Sequence, residues 1–94
     1  MIELTKDNFK EEVTNYNGKV IIDVWASWCG RCKMVKPKYI DLSNTNTEYK
    51  FCMLDADNNP ELMEELKVSN LPTFIMYSKG KEIMRGGVEM LNNL

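Results

Sequence analysis

The chain has 94 residues, with 12 Lys plus Arg, 14 Asp plus Glu, no His and three Cys. A net charge of −2 gives no electrostatic basis for binding nucleic acid, and no apolar run approaches the ~18 residues that mark a transmembrane helix. The length fits one domain, residues 1–94, able to bury roughly 60–65% of its unfolded surface. Met1-Ile2-Glu3-Leu4-Thr5-Lys6-Asp7 carries no basic region followed by an apolar block, so no signal peptide is read there and a cytoplasmic protein is expected.

In chain order, Ile2-Glu3-Leu4 alternates like a short strand. Thr5 or Asp7 is placed to cap a helix over about Asp7 to Asn15, with Phe9 and Val13 on its buried side. Asn17-Gly18 is expected to end it, since Gly is the usual residue just past a helix. Lys19 to Ala26 is β-rich and nearly continuous in apolar residues, which marks a strand covered on both faces. It is predicted to be the central strand. A helix opening at Cys29 carries Val35, Tyr39 and Leu42 at i, i+4 and i+7, and Pro37 inside it is expected to kink it. Ser43 to Thr47 reads as a loop and Tyr49 to Leu54 as a strand, in which Cys52 is a small buried apolar residue.

Asn59, Pro60 and Glu61 form a helix start: an N-cap, a proline at the first helical position and an acid in the first turn. Leu62, Met63 and Leu66 supply that helix's apolar face. Thr73 to Tyr77 is a strand, and Ser78-Lys79-Gly80-Lys81 is a hairpin turn into Glu82 to Arg85. Gly86-Gly87 breaks that strand, and Val88 to Leu94 is a short final helix. The expected order is βαβαβαββα.

The chemistry is concentrated in Trp28-Cys29-Gly30-Arg31-Cys32, at the junction of a strand and a helix. Residues three apart lie on one side of a helix, so the two Cα atoms can fall within the roughly 4.4–6.8 Å a disulfide needs. Cys29 at the helix N-terminus faces free N–H groups and the positive end of the dipole, which favour a thiolate, the attacking species. Cys32, one turn in, is expected to be more buried and to act second. Gly30 lets the backbone turn tightly and leaves room for a partner. Two other uses of the spacing fit less well. A zinc site needs about four ligands, and only Cys52 and no His remain to complete one. A static disulfide across so short a loop constrains little unfolded chain.

Beyond spacing, Asp23-Val24-Trp25-Ala26-Ser27-Trp28-Cys29-Gly30-Arg31-Cys32-Lys33-Met34, followed by Pro37, resembles the active-site segment of the thioredoxin family. Leu54-Asp55-Ala56-Asp57-Asn58-Asn59-Pro60-Glu61, Leu71-Pro72-Thr73 and Gly87 are similar to its other landmarks, so the resemblance spans nearly the whole chain. It implies an α/β thioredoxin fold, with a central mixed sheet flanked by helices on both faces. It implies a thiol–disulfide oxidoreductase with Cys29 as exposed nucleophile, Cys32 as resolving thiol and Asp23 as a buried proton-transfer group. Trp28, Gly30, Arg31, Leu71, Pro72 and Gly87 would form the substrate surface, with Pro72 cis and the Leu71 backbone pairing with a substrate strand. The alternatives are a solvated edge for Asp23, against which its apolar neighbours argue, a core position for Trp28, and for Pro72 the trans turn that base rates favour and only the resemblance reverses.

The implied protein is a monomer that uses no metal or organic cofactor, only the Cys29–Cys32 disulfide. Its partners would be disulfide-containing proteins and a thioredoxin reductase, with no nucleic acid and no membrane. The chain departs from the family's usual pattern at Arg31, where proline is common, at Met53, where many members carry a lysine near the buried acid, and in its short last helix. Two other readings share these residues: a disulfide oxidase or isomerase, and a non-catalytic binding module on the same scaffold.

Overall fold

Five strands form one sheet in the order β1-β3-β2-β4-β5. The computed structural model describes residues 1–94. β2 (Lys19–Trp25) holds the middle, as its apolar run predicts. β3 (Tyr49–Asp55) lies parallel on one side of it, and β1 (Ile2–Glu3) is parallel beyond β3. β4 (Thr73–Ser78) and then β5 (Lys81–Gly86) are antiparallel on the other side, so the sheet is mixed.

Alternation along β2 divides the core. Val20, Ile22 and Val24 join Leu4, Val13, Leu54 and Ile75 on one face, while Ile21 joins Tyr39, Phe51, Phe74 and Leu91 on the other. Each fully buried aliphatic side chain contributes about 1.5–3 kcal/mol, which holds β2 at the centre. A π-helix (Lys10–Thr14) and α2 (Pro60–Leu66) cover the first face. α1 (Gly30–Thr45) and a 3₁₀ helix (Val88–Asn93) cover the second. The expected order of elements holds, with the first and last helical pieces π and 3₁₀ rather than α.

Local details depart from expectation for physical reasons. Neither Thr5 nor Asp7 caps the first helical segment, the π-helix, whose N-cap is Phe9 without a side-chain bond. Thr5 instead closes the turn ahead of it, its Oγ1 accepting from the N–H groups of Asp7 and Asn8 at 3.2 and 3.3 Å while Asn8 Oδ1 accepts from Thr5 N–H at 2.7 Å. The segment closes at Asn15, whose N–H donates to Lys10 O at 2.8 Å, so Gly18 does not terminate it. Gly18 makes room for a ring, since a Cβ there would lie 2.7 Å from Tyr16. Tyr16 in turn receives the Lys50 ammonium 3.5 Å from its ring centroid, while Lys50 pairs with Glu12 Oε1 at 2.9 Å.

α1 runs past Pro37 and through Ser43 to Thr45, where a loop was expected. Ser43 Oγ donates to Ile40 O at 2.5 Å, which satisfies the polar side chain inside the helix. At the α2 start, Asn59 holds the N-cap position, but its Nδ2 donates to Asp55 O at 2.9 Å instead of its side chain capping the helix. The hairpin turn is as predicted: Lys79 and Gly80 both have positive φ, 52° and 79°. A Cβ on Gly80 would overlap the Thr14 carbonyl oxygen, so the hairpin tip touches the end of the π-helix.

Candidate active site

β2 delivers the chain to Ala26, whose carbonyl accepts from Cys29 N–H at 3.1 Å and closes the turn into α1. Cys29 is the N-cap of α1, in extended conformation, and its Sγ accepts from Cys32 N–H at 3.2 Å. One otherwise unpaired helix donor therefore points at the sulfur, in the arrangement that stabilises a thiolate. Cys29 and Cys32 are joined in a disulfide with Cα atoms 5.3 Å apart. Their exposures are 6% and 3%, so Cys29 is more open than Cys32 only by a narrow margin. The reason is local: both sulfurs sit with Ala26, and Trp25 and Leu71 pack over them.

Asp23 is wholly buried, and neither carboxylate oxygen has a hydrogen-bond partner. It is no edge residue. Its register partners are Met53 on β3 and Phe74 on β4, and Ile21 and Trp25 flank it on the same face of β2. Burial among these apolar groups pushes its pKa up to about 7, and the Lys36 ammonium on α1 acts weakly in the opposite direction. Lys36 was not singled out from the sequence, although it lies four residues, one helical turn, after Cys32. Its Nζ stands 5.7 Å from the centre of the Trp25 ring. Tyr39 completes this layer: its hydroxyl donates to the carbonyls of Ile21 and Cys52, at 3.0 and 2.7 Å.

Trp28 is 68% exposed, not core, and its Nε1–H donates to Asp57 Oδ1 at 3.2 Å. The Leu71–Pro72 bond is cis and Pro72 is buried. No hydrogen bond within the chain engages the Leu71 N–H or C=O. Gly30 is exposed with no atom within 4 Å of a Cβ placed there, and its φ is not in the left-handed region. The expected conformational need for glycine is therefore absent, while the open space is present. Gly87 precedes the 3₁₀ helix, and its N–H donates to Glu89 Oε1 at 2.9 Å. Arg31 is exposed in the first turn of α1, which holds no acid. Among the His, Cys, Asp and Glu side chains, no group of three or more is arranged to hold a metal ion.

The sequence predictions thus meet at one end of the sheet. Cys29, Cys32, Gly30 and Arg31 open α1, Asp23 lies in the layer α1 covers, and Leu71 packs on the cysteines. Arg31, Pro72 and Gly87 line a groove beside them.

Known proteins are similar to this chain in sequence and fold. A family model described as Thioredoxin matches residues 1–92. Thioredoxin C-3 of Corynebacterium nephridii is 36% identical over 84 residues, which cover 89% of this chain and 58% of that protein. A bifunctional thioredoxin reductase/thioredoxin of Mycobacterium leprae is 38% identical over 85 residues, 89% of this chain and 19% of its own length. The chain therefore spans just over half of the first relative and a fifth of the second. The structure of Plasmodium falciparum thioredoxin superposes with a TM-score of 0.90 at 27% identity, covering 99% of this chain and 98% of that one. A family model matched over residues 1–92, together with relatives such as the Mycobacterium tuberculosis thioredoxin, 35% identical and covered over 73% of its length, places the chain in the thioredoxin family.

Proposed function

We propose that the chain is a protein-disulfide reductase of one domain, residues 1–94, working as a monomer in the cytoplasm. The observation that carries this reading is the Cys29–Cys32 disulfide at the N-terminus of α1, with the Cys32 N–H directed at Cys29 Sγ. In the reduced protein, the Cys29 thiolate attacks one sulfur of a substrate disulfide. The substrate S–S bond breaks, a mixed disulfide forms, and the first substrate sulfur leaves as a thiolate that takes a proton from water. Asp23 then accepts the Cys32 proton. The Cys32 thiolate attacks Cys29 Sγ and expels the second substrate sulfur, which is protonated in turn. Two electrons pass to the substrate, and Cys29–Cys32 is left oxidised.

Trp28, Gly30, Arg31, Leu71, Pro72 and Gly87 form the docking surface in this reading. The unpaired Leu71 backbone supports strand-like pairing with the substrate. No metal or organic group takes part. Electrons return to the disulfide from a thioredoxin reductase, a partner supported by the relative whose name joins both activities.

The test is reduction of insulin, run with the wild type, Cys29→Ser, Cys32→Ser and the double variant. The wild type is expected to turn over and the variants to lose turnover. Cys32→Ser should accumulate a mixed disulfide through Cys29, since the resolving thiol is gone, while Cys29→Ser traps little. Undiminished function in the double variant would indicate a binding module instead. Equilibration with glutathione separates reductase from oxidase, and a reductase stays largely oxidised in a balanced glutathione buffer.

A further inference from the structure

Beside the disulfide lies a groove of about 970 Å³, bounded by α1, the 67–73 segment and the end of β5. Four of its lining side chains are cationic: Arg31 and Lys38 from α1, Lys67 at the end of α2, and Arg85 from β5. One is anionic, Glu89. The cations are concentrated here on a chain whose net charge is −2. Three separate elements converge to put them there.

Their existing partners leave most of that charge available. Arg31 and the Lys67 ammonium make no hydrogen bond or ion pair within the chain, and Lys38 Nζ bonds only the neutral Asn92 Oδ1, at 3.0 Å. Arg85 is neutralised by Glu82, with two contacts of 2.6 Å. Glu89 is exposed on the groove wall, where its Oε1 accepts from Gly87 N–H, so it offsets one of the three remaining cations. The α2 acids Glu64 and Glu65 do not line the groove. Val35, Leu71 and Pro72 give the groove apolar lining, and the Leu71 backbone makes no hydrogen bond within the chain.

An extended segment paired with Leu71 would set alternate side chains on the apolar lining and raise the others towards the cations. We propose that this groove selects acidic segments, so that the favoured substrates are protein disulfides flanked by Asp or Glu. The inference rests on the reductase reading for its chemistry and on the groove for its selectivity. Cations in a cleft focus the field and raise the encounter rate of an oppositely charged partner, and salt screens the effect.

The test uses three short peptides, identical except that the residues flanking one cysteine are Asp, Asn or Lys. Each carries the same thionitrobenzoate leaving group on that cysteine. The pre-reduced protein attacks, and release of thionitrobenzoate gives the rate. At low ionic strength the Asp peptide is expected to react about 10-fold faster than the Lys peptide. In about 1 M salt the ratio should fall to roughly 2-fold or less. In the Lys38→Glu, Lys67→Glu double variant it should drop below one. An Asp peptide no faster than the Lys peptide, or a ratio that ignores both salt and charge reversal, would overturn the proposal.

A second arm separates selectivity from chemistry. The cysteine of each peptide is replaced by serine and binding is read by fluorescence anisotropy. Tighter binding of the Asp peptide supports the groove's role, and equal binding overturns it. Failure of all three thiol-releasing peptides to react would count against the reductase reading, and the binding arm would still decide the groove.

Discussion

Asp23 and Met53 are register partners in the parallel β2–β3 ladder, and a thioether rather than an ammonium stands across from the buried acid. Nothing donates a hydrogen bond to the Asp23 carboxylate, and burial raises its pKa to about 7. Relative to an ordinary carboxyl, the folded state therefore resists ionisation. The resulting loss of stability begins as pH rises above the unfolded value of 3.8 and is complete once pH passes the folded value near 7.

Asp23→Asn is accordingly expected to stabilise the oxidised protein at pH 8 and to do little at pH 4. The gain at pH 8 is on the order of 3 kcal/mol. Denaturant unfolding at the two pH values measures it. Disulfide reduction by the variant should slow, because the acceptor for the Cys32 proton is lost. A variant less stable than the wild type at pH 8 would show that Asp23 contributes by its charge.

Lys36 modulates the same group from the opposite side. Its charge is the lone influence lowering the Asp23 pKa, and its Nζ stands over Trp25, the next residue on that face of β2. Lys36→Met should move the Asp23 titration upward. The shift can be followed by carboxyl chemical shift in the oxidised protein, and an unchanged midpoint would mean that solvent screens Lys36 completely. Met53 places no charge opposite the acid, and α1 supplies the cation instead.

Arg31 occupies the first turn of α1, where the helix dipole disfavours a cation and favours the Cys29 thiolate. No hydrogen bond engages the Arg31 N–H, so a proline there removes none. Arg31→Pro is expected to lower the reduction potential, because the reduced form loses a nearby positive charge. The charge effect at this exposed site is on the order of 15 mV. Titration against a dithiol buffer, read by Trp28 fluorescence, checks the sign, and a higher potential in the variant would refute it.

Gly80 is the position where the fold depends most directly on glycine. It combines a φ of 79° with a Cβ site that overlaps Thr14. Gly80→Ala should cost roughly 2–4 kcal/mol, from the left-handed backbone and the displaced π-helix end together. Gly30→Ala meets open space and is the matched control, expected to change stability little. Thermal unfolding of the two variants makes the comparison.

These cases show which features could be read in the sequence. Strand β2 was legible because its burial on both faces leaves an apolar run broken only by Asp23, and the Lys79-Gly80 turn because its backbone requires particular residues. The cysteine pair was legible because short-range spacing alone brings the sulfurs together. Features made by residues far apart in the chain were not. The Trp28–Asp57 hydrogen bond joins positions 29 apart, and the cations of the groove come from three different elements. The end of α1 was misread because Ser43 and Thr45 look like loop residues until their hydroxyls turn back onto the preceding carbonyls. Gly18 was misread as a helix terminator because a ring's need for space leaves the same letter in the sequence as a backbone's need for freedom.

The third thiol adds a practical property. Cys52 is fully buried on β3 beside the central strand, and burial pushes its pKa up to about 12. At neutral pH it is chemically silent while the sheet is closed. A thiol reagent should therefore count two cysteines in the reduced native protein and three in denaturant. With Cys29 and Cys32 locked as the disulfide, any slow labelling of the oxidised protein must come from Cys52. Cys52 is paired with Ile2 of the two-residue β1 and with Ile22 of the central strand, so that labelling reports release of β1 or opening of the sheet. The chain thus carries a built-in clock for its own opening, and comparing labelling rates before and after reduction would show how far the active-site bond governs the motion of the sheet beneath it.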